Sequence, residues 1–196
     1  MISQANQLQV QVATGDALDA RWFSVSQAMD QLFCAEIHVV SKNLSVSLEE
    51  VIGAEASFSI RTKGARHVLY GVAAEMVQLR VDEDGVATYK LILRPRAWLL
   101  TQRKNYRIFQ YQSEIAIVRQ LLAEWGIEHE VILGREHKPR KYRVQYDESD
   151  FAFACRMLED AGIAYFFQPT DAGTKLVALL GRDPDWPASS RRERDR

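Results

Sequence analysis

Residues 145–167 read Gln-Tyr-Asp-Glu-Ser-Asp-Phe-Ala-Phe-Ala-Cys-Arg-Met-Leu-Glu-Asp-Ala-Gly-Ile-Ala-Tyr-Phe-Phe. Ser149 has the short acceptor side chain of a helix N-cap, and Phe151, Ala154, Met157, Leu158 and Ala161 then fall on one stripe of a 3.6-residue helix. Gly162 supplies a left-handed stop and Ile163 opens a strand. The same plan stands 36 residues earlier, at 113 as against 149. Ser113 caps, Ile115, Val118, Leu121, Leu122 and Trp125 make the stripe, Gly126 stops the helix and Ile127 begins the next segment. Aligned without a gap, SEIAIVRQLLAEWGI and SDFAFACRMLEDAGI agree at Ser, Ala, Leu, Gly and Ile. Glu114 and Asp150 also correspond, and each suits the positive end of a helix. We read two copies of a cap–helix–glycine–strand unit packed side by side; two are too few for a solenoid.

Between the two helices, Tyr142, Val144 and Tyr146 alternate as a strand does. Beyond the second, Ile163–Gln168 and Lys175–Leu180 form a hairpin around residues 169–173. Upstream, the first hundred residues read as strands. Leu8, Val10 and Val12 mark one, Phe33–Val40 a second, and Phe58 with Ile60 a third. Ser47–Gly53 reads as a single helical turn. Glu75–Val81 and Val86–Leu93 flank the acidic turn Asp82–Gly85, and Pro95 ends the second arm because it cannot donate to a ladder. The fold class is α+β and β-rich; many short antiparallel strands in series favour a barrel or a sandwich. Past Gly181 the composition turns to Asp, Pro, Ser and Arg with little to bury, so residues 182–196 are expected to be a disordered tail.

The 196 residues are 47% hydrophobic, enough for one large domain or two small ones. Lys and Arg number 25 against 26 Asp and Glu, a net charge of −1, so there is no basic excess to neutralise a phosphate backbone. Cys34 and Cys155 stand far apart and outside any CxxC pattern, as reduced, partly buried thiols do in a reducing cytosol. The N-terminus MISQANQLQVQV has neither the basic nor the apolar region of a secretory signal, and no uncharged apolar run approaches bilayer length.

The densest acidic cluster is Asp147, Glu148 and Asp150, followed one helix later by Glu159 and Asp160. Paired carboxylates serve as acid and base in glycoside hydrolysis. The simpler reading is structural: acids at a helix start complement its dipole, and Glu159 and Asp160 lie three and four residues from Arg156. His38, His67, His129 and His137 are dispersed, with no metal-binding spacing. No GxSxG, P-loop or GxGxxG anchors acyl transfer or nucleotide chemistry. The run Arg135–Arg143 is the one basic patch, with Tyr142 interleaved; it reads as a solvated loop entering a strand. Tyr165, Phe166 and Phe167 cannot all face one side of a strand, so one side should be exposed unless both faces are covered, whether in an assembly or by a helix of the same chain.

Two stretches carry a family resemblance. The first is Tyr89-x-Leu91-x-Leu93-x-Pro95-x-x-Trp98-Leu99-Leu100 followed by Arg107-Ile108-Phe109-Gln110. The second is Gln145-Tyr146-x-Glu148-Ser149-Asp150-x-x-Phe153, running into Arg156-x-Leu158-Glu159-x-x-Gly162-Ile163-x-Tyr165-Phe166-Phe167. In order and spacing, Gly71 to Phe167 resembles the N-terminal hub region of the VgrG family of type VI secretion spike proteins, related to contractile-phage tail hubs. The resemblance implies an antiparallel β-barrel of hub type over residues 1–100 and a smaller outer α+β domain over 101–181. It implies a structural subunit coupling a hexameric tube to a trimeric cell-puncturing tip, with an Hcp-type tube protein as partner. Self-association as a trimer, contacts with baseplate components and effectors, and membrane contact only by puncture follow from it. It implies no enzyme, no catalytic, cofactor-binding or metal residue, no cofactor and no nucleic-acid partner. Assembly would take place in the cytoplasm of a Gram-negative bacterium, with export by the contractile apparatus. Family members continue into a second barrel, an OB-fold and a β-helical needle. None follows Gly181, so the chain is expected to be the front part only. Two alternatives are a wall-degrading hydrolase using the acids of 147–160 and a monomeric adaptor for a spike or effector.

Overall fold

Strict alternation along Cys34–Ser41 and Ala87–Arg94 turns Ala35, Ile37 and Val39, and Tyr89, Leu91 and Leu93, to one buried face of a sheet. The computed structural model describes residues 7–179 apart from 63, 135 and 172. The expected tail at 182–196 and the N-terminal residues 1–6 lie outside the described residues.

Six strands build the first layer: β1 (Leu8–Val12), β2 (Asp19–Ser26), β3 (Cys34–Ser41), β4 (Glu55–Arg61), β5 (Arg66–Val81) and β6 (Ala87–Arg94). They pair in the order β1-β4-β5-β6-β3-β2, every neighbour antiparallel. The short helix α1 (Leu48–Val51) sends Val51 into the core these strands enclose, beside Phe58, Ile37 and Leu91. The connection 13–18 joins the first and last strands of that order, so the sheet curls and brings its two edges toward each other. No ladder joins β1 to β2 among the described residues, and the sheet is therefore a half-barrel rather than the closed barrel expected. β1 is only five residues long, and a bulge between Ala20 and Trp22 interrupts the ladder of β2 with β3.

At Gly71 two strands come together more closely than any side chain allows. A Cβ there would lie 1.9 Å from the Arg94 carbonyl oxygen, so β5 crosses the end of β6 only because residue 71 has none.

After Pro95 a 3-10 helix (Arg96–Gln102) buries Ala97 and Leu100 in a second core. Then follow β7 (Lys104–Gln112), α2 (Glu114–Glu124), β8 (His129–Ile132), β9 (Arg140–Ser149), α3 (Asp150–Ala161), β10 (Ala164–Pro169) and β11 (Thr174–Leu179). β7 and β9 form a two-stranded ribbon, and β10-β11-β8 form a small sheet with β8 parallel to β11. Both predicted caps are made: Ser113 Oγ accepts from the Ala116 amide at 3.2 Å and Ser149 Oγ from the Ala152 amide at 3.1 Å. The two helix ends also match. Ile127 N donates to Leu122 O and Ile163 N to Leu158 O, each at 2.9 Å, while Gly126 and Gly162 take φ of 60° and 71°. Ser47 occupies the N-cap of α1 without a side-chain bond.

The second core is seated on the sheet at the loop before β3. Asp30 N donates to Tyr165 O at 2.9 Å, Tyr165 N donates to Asp30 Oδ1 at 2.8 Å, and Phe33 meets Phe167 edge to face at 5.9 Å. Phe167 packs against both cores, Tyr165 is buried and Phe166 is half-buried. That is how the Tyr-Phe-Phe run is covered on both sides.

Candidate assembly interface

The β7–β9 ribbon reverses the usual sidedness of a half-buried strand pair. Tyr106, Ile108, Tyr142, Val144 and Tyr146 share one face and all are exposed, Tyr146 to 75%. Tyr106 lies opposite Tyr146 with rings edge to face at 5.2 Å, and Ile108 lies opposite Val144. The other face, turned to the helices, is mainly polar: Arg107, Arg143 and the fully buried Gln145, with Phe109 stacked on Phe153 at 5.4 Å.

Those polar residues serve two buried carboxylates. Asp150, the first residue of α3, has no exposed surface. Its Oδ1 accepts from Gln145 Nε2 (2.9 Å), Asn105 Nδ2 (3.0 Å) and Arg107 Nη2 (2.8 Å). Its Oδ2 accepts from Arg103 Nε (2.7 Å) and Trp125 Nε1 (3.0 Å). Burial by itself would raise the Asp150 carboxyl, but the bonds from Gln145, Asn105, Trp125 and Arg103 outweigh it and hold the pKa at about 2. Glu114, the first residue of α2, accepts from Arg140 Nε at 3.0 Å and Arg143 Nη2 at 2.5 Å. Burial again opposes ionisation there, and the arginine bonds carry its pKa below the usual value.

An advance of 36 residues carries one cluster onto the other. Arg107 binds Asp150 and Glu124; Arg143 binds Glu114 and Asp160. Within the ribbon, Tyr106 pairs with Tyr146 and Gln110 with Tyr142, pairs that the same advance interchanges. Ile108 and Val144, themselves 36 apart, face each other at the centre of this local twofold relation. Tyr111 and Asp147 correspond too, and both hold positive φ, 53° and 48°. The relation breaks at one end, where a register shift makes Asp147 an extra residue.

Each carboxylate of the sequence's acidic cluster is accounted for separately. Asp150 is buried among its five donors. Glu148 is ion-paired with Arg156, and exposed Asp147 lies 3.7 Å from Lys104. Arg156 thus turns to Glu148 rather than along its own helix, and Asp160 goes to Arg143 across the ribbon. The tertiary partner lies closer to hand than the helical neighbour. Among the histidines, His38 bonds Glu36 at 3.0 Å beneath the ring of Trp22, His129 Nδ1 lies 2.9 Å from the Ile127 carbonyl, and His67 is exposed. Among the described residues no three His, Cys, Asp or Glu side chains are placed to hold a metal ion, and no helix is long and apolar enough to cross a membrane. Cys34 and Cys155 are free and half-buried. The basic run supplies Arg140 and Arg143 to Glu114 and leaves Lys138 and Lys141 exposed. Sequence reading missed Arg103, Arg107 and Gln145 as a set; the signal was their placement opposite the helix-start acids.

A half-barrel carrying a helix-backed ribbon, with carboxylates tied to arginines and a tyrosine-rich face left open, is the build of an assembly part. The chain belongs to the phage tail baseplate hub (GPD) family, whose pattern covers residues 26–190. It is 35% identical over 144 residues to the type VI secretion system spike protein VgrG1a of Pseudomonas aeruginosa, spanning 72% of this chain and 22% of that protein. Among solved structures it is similar to the Escherichia coli c3393 protein, a component of the type VI secretion system with structural similarity to the T4 bacteriophage tail proteins gp27 and gp5. The TM-score is 0.79 with 26% identity, covering 88% of this chain and 48% of that one. The 43 kDa tail protein of prophage MuSo2 from Shewanella oneidensis shares the fold at a TM-score of 0.58 and 15% identity, over 92% of this chain and 57% of that one. The chain thus spans about a fifth of the length of the spike protein and about half of c3393.

Proposed function

We propose that this chain is a structural hub subunit of a type VI secretion spike, corresponding to the front part of a VgrG-type protein and acting through interfaces rather than bond-making. The likeness to c3393 over nearly the whole chain, half-barrel and docked α+β unit together, carries this reading. Residues 1–100 act as the tube-facing barrel segment, completed by neighbouring strands. Residues 101–181 act as the outer domain, built from a duplicated cap–helix–glycine–strand unit. The matching caps, helix ends, arginine clusters and ribbon register support that duplication. In the assembled spike three chains meet an Hcp-type hexamer, with baseplate components and effectors as further partners. Assembly is cytoplasmic, in a Gram-negative bacterium, and export is by the contractile apparatus.

Sedimentation of this chain with and without Hcp-type hexamers tests the reading: faster sedimentation of the mixture supports it, and independent boundaries overturn it. For the enzyme alternative, the network around Asp150 favours a structural role for the acids. A Glu148→Ala/Asp150→Ala chain should lose stability, and since the wild type should cleave no cell wall, neither should the variant. Wall cleavage by the wild type that a folded variant lacks would establish catalysis.

A further inference from the structure

The described residues end at Leu179, the last of β11, and the chain continues to residue 196. β11 runs parallel to β8 with Leu176 beside His129 and Leu179 beside Ile132, an offset of 47 residues. From Ile132 the chain crosses to the ribbon in seven residues, 133–139, and enters β9 at Arg140. Residue 180, bonded to Leu179, starts out beside that same crossing. At the same offset Asp185 falls abreast of Lys138, and Trp186 abreast of Pro139. Two properties of this end of the ribbon suit that segment. Lys138 and Lys141 are exposed and have no carboxylate partner among the described residues. Beside them an open hollow of about 450 Å³ is lined by Arg140, Lys141, Tyr142, Arg143 and Asp160, with Tyr142 exposed to 62%. Residues 182–187 read Arg-Asp-Pro-Asp-Trp-Pro, and Trp186 is the one large apolar side chain in 182–196.

We propose that residues 183–187 fold back over the ribbon of their own chain as a strap, with Trp186 in the hollow against Tyr142 and the carboxylates of Asp183 and Asp185 meeting the ammonium groups of Lys138 and Lys141. An indole gains both from a tyrosine ring and from the guanidinium groups of Arg140 and Arg143 that line the hollow. Asp183 and Trp186 each precede a proline, which keeps both out of the helical region, so an already extended segment loses little freedom on docking. Charge fixes which segment docks, and in which direction, more than how tightly. The short tether supplies the rest. A contact that a separate peptide would make with a Kd of about 1 mM is about half-formed or better when the linker gives a millimolar effective concentration. Exposed apolar patches mark binding surfaces. The strap covers the Tyr142 end of this one, and whatever binds there has to displace it. The contact lies within one chain and needs neither a second copy nor a tube protein.

Fluorine NMR of the whole chain labelled with 5-fluorotryptophan tests this. The sequence holds four tryptophans, Trp22, Trp98, Trp125 and Trp186, and Trp186→Phe identifies the resonance of the last. That resonance should lie away from the one given by a free peptide of residues 182–190. It should not move between about 50 and 500 μM, because the contact is intramolecular. Coincidence with the free peptide would overturn the proposal. A position that follows concentration would put the segment on another molecule and overturn it equally. Tyr142→Ser should carry the Trp186 resonance to the free-peptide position while the other three stay, which shows the fold intact. Lys138→Glu/Lys141→Glu and Asp183→Lys/Asp185→Lys should each carry it most of the way, and all four changes in one chain should bring it back. A Trp186 resonance indifferent to both Tyr142→Ser and the lysine reversals would mean that the segment docks elsewhere, and would refute the ribbon as its site.

Discussion

Replacing Asp150 by Asn keeps the shape of the side chain and removes its charge. All five groups around Asp150 are donors, so one end of the amide faces donors with a donor, much as the protonated acid does. The native carboxyl is held at about 2 against an ordinary 3.8. At about 1.4 kcal/mol per pKa unit, that difference makes the charged form worth about 2 kcal/mol of stability. The folded pKa is the lower one, so this stability is present above about pH 4 and is lost as pH falls through about 2. Urea unfolding of the wild type and Asp150→Asn at matched pH isolates Asp150, because every other carboxylate titrates in both proteins. The gap between them should be about 2 kcal/mol larger at pH 7 than below pH 2. A gap that stays constant across that range would refute the claim that the arginine-lined bed stabilises Asp150 as an anion.

Gly71→Ala should destabilise by well over about 2 kcal/mol or block folding, since its new methyl would meet the Arg94 carbonyl; thermal melting reads this directly. Gly126→Ala has open space but keeps a left-handed φ, so its cost should stop at about 1 kcal/mol. Ser113→Ala and Ser149→Ala should each cost about 1 kcal/mol in urea titrations. Phe153→Ala empties a fully buried site stacked on Phe109 and should cost about 3–5 kcal/mol by the same measurement.

Much of the second half was legible because its signals are local. A serine cap, an apolar stripe and a left-handed glycine each act within one turn, and Ser113, Gly126, Ser149 and Gly162 are where sequence put them. β2 was not legible. Its inward residues are Ala20, Phe23 and Val25, and the bulge between Ala20 and Trp22 throws the first out of step with the other two, leaving too short an alternation to read. β5 was read nine residues short, because the bulge at 73–75 breaks the alternation where the reading stopped. The ribbon shows the deeper limit. Tyr142, Val144 and Tyr146 announce a strand, but a period of two does not say which face turns inward. Here Arg143 and Gln145 go in, because Glu114 and Asp150, distant in sequence, wait beneath them. Curvature of the first sheet was equally hidden, since it follows from which strands end up as neighbours.

The crossed arrangement of arginines and acids has a mechanical consequence. Arg107 comes before α2 yet satisfies the acid of α3, while Arg143 comes before α3 yet satisfies the acid of α2. Peeling either helix away strands a charge in each half, at a cost of several kcal/mol per broken pair. The unit should therefore yield to a pulling force in one step, like a buckle whose two tongues pass through each other's frames.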